Sequence, residues 1–465
     1  MLELINTIAT YLTDWMLIPL LLAVAIWFTF RTRGVQFRML PSMCRLLLER
    51  PNDHKKHHIS SFQAFVVSIA SRVGTGNLAG VATAITVGGP GAVFWMWVIA
   101  LIGASSSFIE STLAQIFKIK DRDGGFRGGP AYYIQRAIGS RWWAVTFAIL
   151  IAVTFGLAYN SVQANTIADA FNSSWSIPRS LTAVILTVAT LLIIWGGLKS
   201  IVKFSTIAVP FMAIGYIIVA LIIIAMNLGS LPDVLTMIVE DAFGLNQALG
   251  GTMGAALSMG IKRGLFSNEA GEGSAPNIAA TANVSHPVKQ GLVQALGVFT
   301  DTLLICSCTA FIILCSGVEY SNNEGIALTQ RALDSQFHIP GLGAGFISIA
   351  ILFFAFTSII GNYYYGETNI RFITPRQWIL NTYRMTVSSM VAIGSVVSLD
   401  LVWSFADITM SLMAVCNLCA ILWLGKYALI ALNDYRTQRR HGLNPRFTRH
   451  TIPAIHHLTE AWPER

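Results

Sequence analysis

Two glycine-rich stretches, SRVGTGNLAGVATAI at 71–85 and SMGIKRGLFSNEAGEGSAPN at 258–277, decide the fold of this chain. Each stretch lies within a long apolar segment, near 62–87 and near 248–278, where several glycines predict a broken or irregular helix. Glycine in either segment alone could simply permit close helix packing. The pair favours broken helices, because each segment opens one of two equivalent sets of spans.

The composition is that of a membrane protein. Apolar residues make up 54% of the 465 residues, and charged residues make up 12%, about half the share found in soluble domains. Repeated apolar runs are long enough to cross a hydrocarbon core of about 30 Å. We predict eleven spans, near 15–31, 62–87, 91–117, 144–168, 180–197, 204–227, 248–278, 291–316, 344–366, 379–398 and 402–425.

The spans predict an all-α polytopic membrane protein with an internal repeat. Without the first span, the other ten divide into two sets of five that cross in opposite directions, a 5+5 inverted repeat with an extra N-terminal helix. The predicted domains are 1–61 (extra helix and basic loop), 62–227 (first repeat), 248–425 (second repeat) and 426–465 (basic tail). Broken helices at equivalent positions of inverted repeats indicate a substrate site near the bilayer midplane.

The basic residues predict the orientation. The formal net charge is +8, and all but six of the 31 Lys and Arg lie in alternate loops, at the adjoining helix ends or in the C-terminal tail. The positive-inside rule then places these segments in the cytoplasm and the N-terminus outside, in a bacterial inner membrane. The tail is expected to be a solvated extension that touches anionic lipid headgroups, with no role for nucleic acid.

The first broken segment offers groups for both charges of an amino acid transport reaction. Unwinding would leave backbone amides without helical partners beside a helix N-terminus, which suits a substrate carboxylate. These amides belong to Gly74, Thr75, Gly76 and Asn77. The freed carbonyls of Ala70 and Val73 just before them suit a hard cation such as sodium.

The second broken segment contributes Ser267, Glu269 and Glu272, with Phe266 as a lid over a small side chain. Charged groups at membrane depth are costly and therefore usually paired or functional. Glu269 and Glu272 either form a gate network with Lys262 and Arg263 or bind a ligand directly, and the residues alone do not decide between these roles.

Two other spans carry polar groups at the expected depth. Gln163, close to Tyr159 and Asn160, could accept from a substrate ammonium group or could pack between helices. Thr357 and Ser358, in the same span as Asn362, have hydroxyls that suit sodium, although such hydroxyls also bond to their own helix.

Glu110 and Asp301 are carboxylates within spans that either carry a proton or hydrogen-bond the irregular backbone of the broken helices. All nine histidines fall in loops or in the tail, which favours sodium over a histidine proton relay. No phosphate-binding loop, metal-ligand cluster or nucleophile–base pair is evident in the spans, so neither a cofactor nor an enzyme activity is expected.

Several motifs resemble those of the alanine or glycine:cation symporters, the sodium:alanine symporter family. The family's signature is present as GGPGAVFWMWVIALIG from Gly88 to Gly103, and the resemblance covers roughly residues 60 to 425. Further similar motifs are SRVGTGNLAGVATAI, RGGPAYYI, GLFSNEAGEGSAP and FTSIIGNYYYGE.

The resemblance implies the LeuT-like inverted-repeat fold and gives roles to matching residues. Gly74 to Asn77 are similar to the Gly-x-Gly-Asn segment whose amides hold the substrate carboxylate and whose Asn can face a second sodium. Thr357 and Ser358 fall where sodium ligands are supplied, together with carbonyls near Ala70 and Val73. Gln163, Phe266 and Ser267 are expected at the substrate pocket. Asn362 departs from the Trp that many relatives have, which leaves the accepted side-chain size open.

We therefore predict a secondary transporter that imports a small neutral amino acid, alanine or glycine, together with sodium by alternating access. Glu110, Glu269 and Glu272 would support the helix breaks or the gate. The alternatives are a proton-coupled symporter that uses Glu110 or Asp301, and a membrane receptor that signals through its short tail.

Overall fold

The computed structural model describes residues 2–49, 59–121, 124–244, 253–319, 325–337 and 339–464. This part of the chain is almost entirely helical, apart from one antiparallel hairpin of β1 (Ile119–Lys120) and β2 (Phe126–Arg127). The helices are α1 (Leu2–Thr10), α2 (Ile18–Arg31), α3 (Val35–Arg38), α4 (Leu40–Leu47), α5 (Ser61–Arg72), α6 (Val81–Gly88), α7 (Gly91–Ile116), α8 (Pro130–Tyr133), α9 (Arg141–Val153), α10 (Asn160–Trp175), α11 (Arg179–Ile194), α12 (Gly197–Met226), α13 (Leu231–Ala242), α14 (Met253–Asn268), α15 (Ala275–Ala279), α16 (Pro287–Val298), α17 (Ser307–Cys315), α18 (Ile326–Asp334), α19 (Leu342–Ile373), α20 (Gln377–Val396) and α21 (Leu399–Arg440).

Wide π-helical turns join several of these helices into longer spans. They lie at Tyr11–Leu17, Gly76–Gly80, Ile134–Ile138, Thr154–Tyr159 and Phe299–Cys306. Turns of this kind are rare and frequently mark functional sites. Three of these turns connect α1 to α2, α9 to α10 and α16 to α17. The turn at Gly76–Gly80 begins the second half of the first broken helix.

Within the described residues, seven helical stretches are long and apolar enough to cross a membrane, and an eighth is the bent pair Ser61–Arg72 and Gly76–Gly88, whose halves meet at 52°. The predicted count of eleven is not confirmed by length and composition, because some predicted spans form shorter or more polar helices. Of these, α11 and α14 have 16 residues each. The predicted start of the second repeat at 248, with Gly250 and Gly251, lies outside the described residues.

The helices form two groups, and each group combines helices from both predicted repeats. In one group, α7 packs against α14 and α16, and the two broken helices flank it; in the other, α10 packs against α19 and α20. Helix α19 also contacts α5, so the break in α5 lies between the groups. The predicted division of the chain at 62–227 and 248–425 therefore stays a prediction about the repeat, not a description of how the helices are grouped in space.

The C-terminal tail is not the solvated extension that the sequence predicts. Helix α21 continues to Arg440, beyond the expected end at 425. The chain then folds back, and Phe447, Ile455 and Trp462 are 1%, 2% and 4% exposed. The prediction was wrong because the tail was judged by its basic residues alone. Its apolar side chains cover apolar surface at the ends of other helices.

Candidate site at the two helix breaks

The first break holds its own backbone in a tight turn. Helix α5 ends at Arg72, Val73 is extended, and the next helical turn begins at Gly76. The amide of Gly74 donates to Asn77 Oδ1 at 2.9 Å, and the amide of Asn77 donates to Gly74 O at 3.2 Å. The Gly74 amide thus has a side-chain partner in place of a helical one, because buried amides without water must bond within the protein. The role of these amides in binding a substrate stays a prediction.

Gln163 satisfies the next amide of this turn. Its Oε1 accepts from the Thr75 amide at 2.9 Å and from Thr75 Oγ1 at 2.7 Å. A Cβ on Gly74 would lie 2.4 Å from Ser358 Oγ and 2.7 Å from Gln163 Oε1. Gly74 is thus held between Gln163 and Ser358, and an oxygen acceptor already occupies the place expected for a substrate carboxylate.

Ser358 lies among several carbonyl oxygens at the end of α5. Its Oγ is 2.9 Å from Ala70 O, 3.3 Å from Val73 O and 3.0 Å from Phe354 O. One hydroxyl hydrogen can serve only one of these three acceptors. Thr357, next in the chain, donates instead to Phe354 O of its own helix at 2.9 Å. All are buried, so the cluster has the oxygen-rich character of a hard-cation site.

The second break is braced by Glu110 of α7. The chain leaves α14 through Glu269, which has a left-handed φ of 55°, and α15 begins at Ala275. The amides of Gly271 and Gly273 donate to Glu110 at 3.3 Å and 3.1 Å. Asn417 Nδ2 donates to the same carboxylate at 2.8 Å. Glu110 therefore caps backbone groups that the break leaves without helical partners.

The gate network expected from Lys262 and Arg263 does not form. Lys262 Nζ pairs with Asp14 at 2.9 Å, and Arg263 Nη2 pairs with Asp407 at 2.8 Å. Both cations lie at least six residues before Glu269 in the chain, so α14 directs them toward α21 and the N-terminal helices. Of the two roles left open for Glu269 and Glu272, the ion-pair network with Lys262 and Arg263 is the one that these contacts do not support.

Glu269 and Glu272 have hydroxyl partners instead. Glu269 lies 2.7 Å from Ser71 Oγ and 2.5 Å from Ser274 Oγ. Tyr159 OH lies 3.1 Å and 3.2 Å from the two oxygens of Glu272. These contacts tie the linker of the second break to the end of α5 and to the α9–α10 span.

Asp301 joins the two breaks directly. Its carboxylate accepts from Asn77 Nδ2 at 2.7 Å and from Ser267 Oγ at 2.7 Å, and Thr302 Oγ1 donates at 2.9 Å. Asn77 and Ser267 were predicted as site residues. Asp301 was predicted either to carry a proton or to hydrogen-bond the irregular backbone, and the side-chain contacts that join the two breaks were not foreseen.

An aromatic row closes over the first break. Phe266 packs between Tyr159 and Trp403, with ring centroids 4.4 Å and 4.7 Å away and ring planes tilted by 52° and 57°. A Cβ on Gly76 would lie 3.0 Å from Phe266 Cδ1. Phe266 therefore lies against the break, and its role as a lid over a substrate side chain stays a prediction. Trp403 was missed, and its place in a long apolar helix gave no signal.

Asn362 lies behind the break and bridges two helices. Its Oδ1 is 2.7 Å from Ser71 Oγ, and its Nδ2 donates to Asn160 Oδ1 at 3.1 Å. Ser71 was also missed, although it directly precedes the Arg72 that ends α5. Ser and Thr are frequent in membrane helices, so the residue type alone did not indicate a functional position.

A separate cavity of about 660 Å³ lies at the end of the helix bundle that carries the basic loops. Gln63 of α5, Lys203 of α12, and Tyr364, Glu367 and Arg371 of α19 are among its lining residues. This cavity does not include the residues at the helix breaks, but it adjoins the same α5 and α19 helices.

The fold is that of secondary transporters with the LeuT-like architecture. The structure of MhsT in complex with L-phenylalanine matches with a TM-score of 0.60 at 15% identity, covering 81% of this chain and 96% of that one. The Eremococcus coleocola manganese transporter matches with a TM-score of 0.55 at 16% identity, covering 88% and 86%. At such identities the likeness shows the fold alone.

The chain belongs to the sodium:alanine symporter family, whose model matches residues 1–449. It is 50% identical to the Bacillus subtilis "Probable sodium/glutamine symporter GlnT" over 96% of this chain and 93% of that protein. It is 49% identical to the "Amino-acid carrier protein AlsT" of the same organism, over 96% and 94%. The "Sodium/alanine symporter AgcS" of Methanococcus maripaludis is 36% identical, over 91% and 94%. The family consists of membrane transporters rather than enzymes, and the chain is a secondary active amino acid transporter.

Proposed function

We propose that this chain imports a small neutral amino acid together with sodium by alternating access. The observation that carries the proposal is the cluster formed by Ser358 and the carbonyls of Ala70 and Val73. Sodium there would replace the hydroxyl hydrogen as the partner of these oxygens, and it would lie directly beside Gly74. Ion binding and substrate binding would then share one helix break.

The Thr75 amide supports a nearby carboxylate site. Gln163 Oε1 now accepts from both the amide and the hydroxyl of Thr75. A substrate carboxylate would displace this amide oxygen and accept the same two hydrogens as an anion, which makes each hydrogen bond stronger. Gln163 would then be free to turn toward the substrate, as its predicted role requires.

The substrate is proposed to be alanine or glycine, with glutamine as the second candidate. Phe266 lies against Gly76 and leaves little room for a large side chain near the break. Glutamine is considered because of the printed name of the 50% identical relative, and Asn362 could offer its amide to a glutamine side chain. Competition by the three amino acids in one uptake assay separates these candidates.

Sodium is preferred over protons because of the partners of Glu110 and Asp301. Glu110 accepts from two backbone amides and Asn417, and Asp301 accepts from Asn77, Ser267 and Thr302. Carboxylates that only accept hydrogen bonds are suited to the ionised form. The partners of both residues therefore support a structural role at the helix breaks, and sodium coupling is proposed on that basis.

The proposed orientation puts the N-terminus outside and the basic loops in the cytoplasm of a bacterial inner membrane. The cavity beside Gln63 and Glu367 would then be the start of the exit path, and the basic loops would contact anionic lipid. One charge that crosses 100 mV gives about 2.3 kcal/mol and a tenfold sodium gradient about 1.4 kcal/mol, enough for a several-hundredfold accumulation.

Uptake of labelled alanine into proteoliposomes tests the proposal. We expect accumulation that requires an inward sodium gradient and that increases with an inside-negative potential. Accumulation that follows a proton gradient without sodium would replace it with proton coupling through Glu110 or Asp301. Saturable binding without accumulation would instead support an amino acid receptor.

A further inference from the structure

Glu269 lies at the junction of the two helix breaks in a backbone conformation that is rare for residues other than glycine. Its φ of 55° is left-handed, and its side chain is 1% exposed. Backbone strain of this kind persists where the surrounding structure requires it, and it is frequent at functional sites. The strained backbone holds the Glu269 carboxyl group between Ser71 of the first break and Ser274 of the second.

Ser71 is connected through Asn362 and Asn160 to the carbonyl oxygen of Gly156, and the hydrogen atoms in these three contacts have one consistent arrangement. Gly156 O can only accept, so Asn160 Nδ2 must donate to it, at 3.3 Å. The Oδ1 of Asn160 then accepts from Asn362 Nδ2 at 3.1 Å, which leaves Asn362 Oδ1 facing Ser71 Oγ at 2.7 Å. That amide oxygen has no hydrogen, so the hydroxyl hydrogen of Ser71 must lie in this contact.

The 2.7 Å contact between Ser71 Oγ and Glu269 Oε1 therefore needs a hydrogen from another source. Ser71 has a single hydroxyl hydrogen, and it is already used on Asn362. An ionised carboxylate has none to give, whereas a carboxylic acid donates one O–H. The contact is satisfied when Glu269 is protonated and donates to Ser71.

The reverse arrangement leaves an unfavourable contact. If Ser71 donated to Glu269, Asn362 would have to turn its Nδ2 toward Ser71, and Asn160 would have to turn its Nδ2 toward Asn362. Asn160 Oδ1 would then face Gly156 O at about the same 3.3 Å with no hydrogen between the two oxygens. The hydrogen-bond network thus assigns the amide orientations and the proton together.

The charges around Glu269 favour the same protonation state. Arg72 of α5, Tyr159 of the α9–α10 span, Tyr365 of α19 and Glu272 of the same linker interact electrostatically with Glu269. Glu110 of α7 and Asp301 of the α16–α17 span interact with the same Arg72. Among these groups a single cation faces four buried carboxyl groups. Arg72 itself donates to Gln294 O and Ser107 Oγ rather than to a carboxylate. Ionising all four carboxyl groups would leave uncompensated charge in a medium of low dielectric constant.

We propose that Glu269 is a proton-binding site that latches the two helix breaks to each other. The acid hydrogen of Glu269 bonds to Ser71, and Ser71 in turn bonds to Asn362. When Glu269 loses its proton to solvent, the Ser71 hydrogen turns to the carboxylate and Asn362 Oδ1 loses its donor. The connection from the second break to Asn160 in α10 is then interrupted.

Infrared spectroscopy of the purified protein in lipid tests the protonation state directly, and it does not depend on transport. We expect the carbonyl band of a protonated carboxyl group at neutral pH to disappear in Glu269→Gln. Glu367→Gln is the matched control, because Glu367 is buried but forms an ion pair with Arg371 at 2.7 Å. Ser71→Ala should keep the Glu269 band and move it to higher frequency, since the acid loses its acceptor.

Equal loss of the band in both glutamine variants, or a wild-type spectrum without any band that depends on Glu269, would overturn the proposal. A Ser71→Ala spectrum with an unmoved band would overturn the assigned direction of the hydrogen bond. Because Ser71→Ala leaves the carboxyl group in place, it remains informative if Glu269→Gln does not fold.

A second readout rests on the proposed sodium-coupled uptake. Uptake by the wild type should fall several-fold as the pH rises through the titration of Glu269, because an ionised Glu269 opposes closure of a water-excluded site. Glu269→Gln should flatten this pH profile, and an unchanged profile would contradict the latch. Absence of sodium-dependent uptake at every pH would count against the proposed function, whereas the infrared result would still report on Glu269.

Discussion

Ser358 and Ala70 are 288 positions apart in the chain, yet Ser358 Oγ lies 2.9 Å from the carbonyl oxygen of Ala70. The two residues come from opposite halves of the internal repeat, one on the unbroken helix α19 and one near the end of α5. A cation bound between them would contact both groups of helices at once. Its binding energy would thus depend on how the two groups are positioned, which is what coupled transport requires.

Ser358→Ala removes the hydroxyl oxygen from this cluster and should weaken sodium activation of uptake. We expect the half-saturating sodium concentration to rise by about tenfold or more, equivalent to about 1.4 kcal/mol or more of ion binding. Ser395→Ala is a matched control, because Ser395 is also buried but bonds only to Val391 O of its own helix. An unchanged sodium dependence in Ser358→Ala would remove the cation site from this position.

The arrangement at the breaks could be predicted in part from the sequence. The glycines predicted both broken helices. The family motifs indicated Gly74, Gln163, Phe266 and Ser358 as site residues. The structure places all four at the first break, although the roles of sodium and substrate there are still predictions.

The partners that complete the breaks could not be predicted, because they come from distant parts of the chain. Asn417 reaches Glu110 across 307 positions, and Ser71 reaches Asn362 across 291. A single sequence gives the period of each helix but not which helices lie side by side. The same limit explains why the packing of the tail was missed. Trp462 donates to Gln115 O, and the two residues are 347 positions apart in the chain.

From the contacts of His286 we predict that the start of α16 becomes less stable as the pH falls. The Val288 amide donates to His286 Nδ1 at 3.2 Å, and Nε2 lies 3.1 Å from Asp434 Oδ2, so the ring is neutral with its hydrogen on Nε2. Burial lowers the pKa of His286 below its ordinary value of 6.5, and Asp434 opposes this only partly. The stabilising effect of the neutral ring is therefore complete above about pH 6.5 and is lost as the pH falls below it.

Hydrogen exchange of the α16 amides measured at several pH values checks this prediction. We expect protection to decrease below about pH 6.5 in the wild type. His286→Asn can still accept from the Val288 amide but cannot titrate, so its protection should show no such step. A step of equal size in the variant would assign the pH effect to another group.

From the burial of Trp462 we predict that the folded-back tail contributes to the thermal stability of the protein. Its indole Nε1 donates to Gln115 O at 3.0 Å, and Lys118 Nζ lies 4.4 Å from its ring centroid. Truncation of a buried Trp to Ala costs about 3–5 kcal/mol in protein cores. Trp462→Ala should therefore lower the midpoint of thermal unfolding, whereas Trp142→Ala, at a ring that is 78% exposed, should not. Equal midpoints for the two variants would show that the tail packing adds no stability.

Gly74→Ala tests whether the first break needs the close approach of its neighbours. A Cβ at this position would lie 2.4 Å from Ser358 Oγ and 2.7 Å from Gln163 Oε1, so both side chains would have to move. The added methyl group would separate the proposed sodium ligand from the residue that binds Thr75, and uptake should fall by at least tenfold.

Gly215→Ala, in α12, is the matched control, because a Cβ there meets nothing within 4 Å and uptake should be retained. The two variants add the same methyl group to one protein, so a loss confined to Gly74→Ala follows from crowding at the break. If Gly74→Ala transports as well as Gly215→Ala, the contacts of Gly74 with Ser358 and Gln163 are not required in the transport cycle, and the site must lie elsewhere.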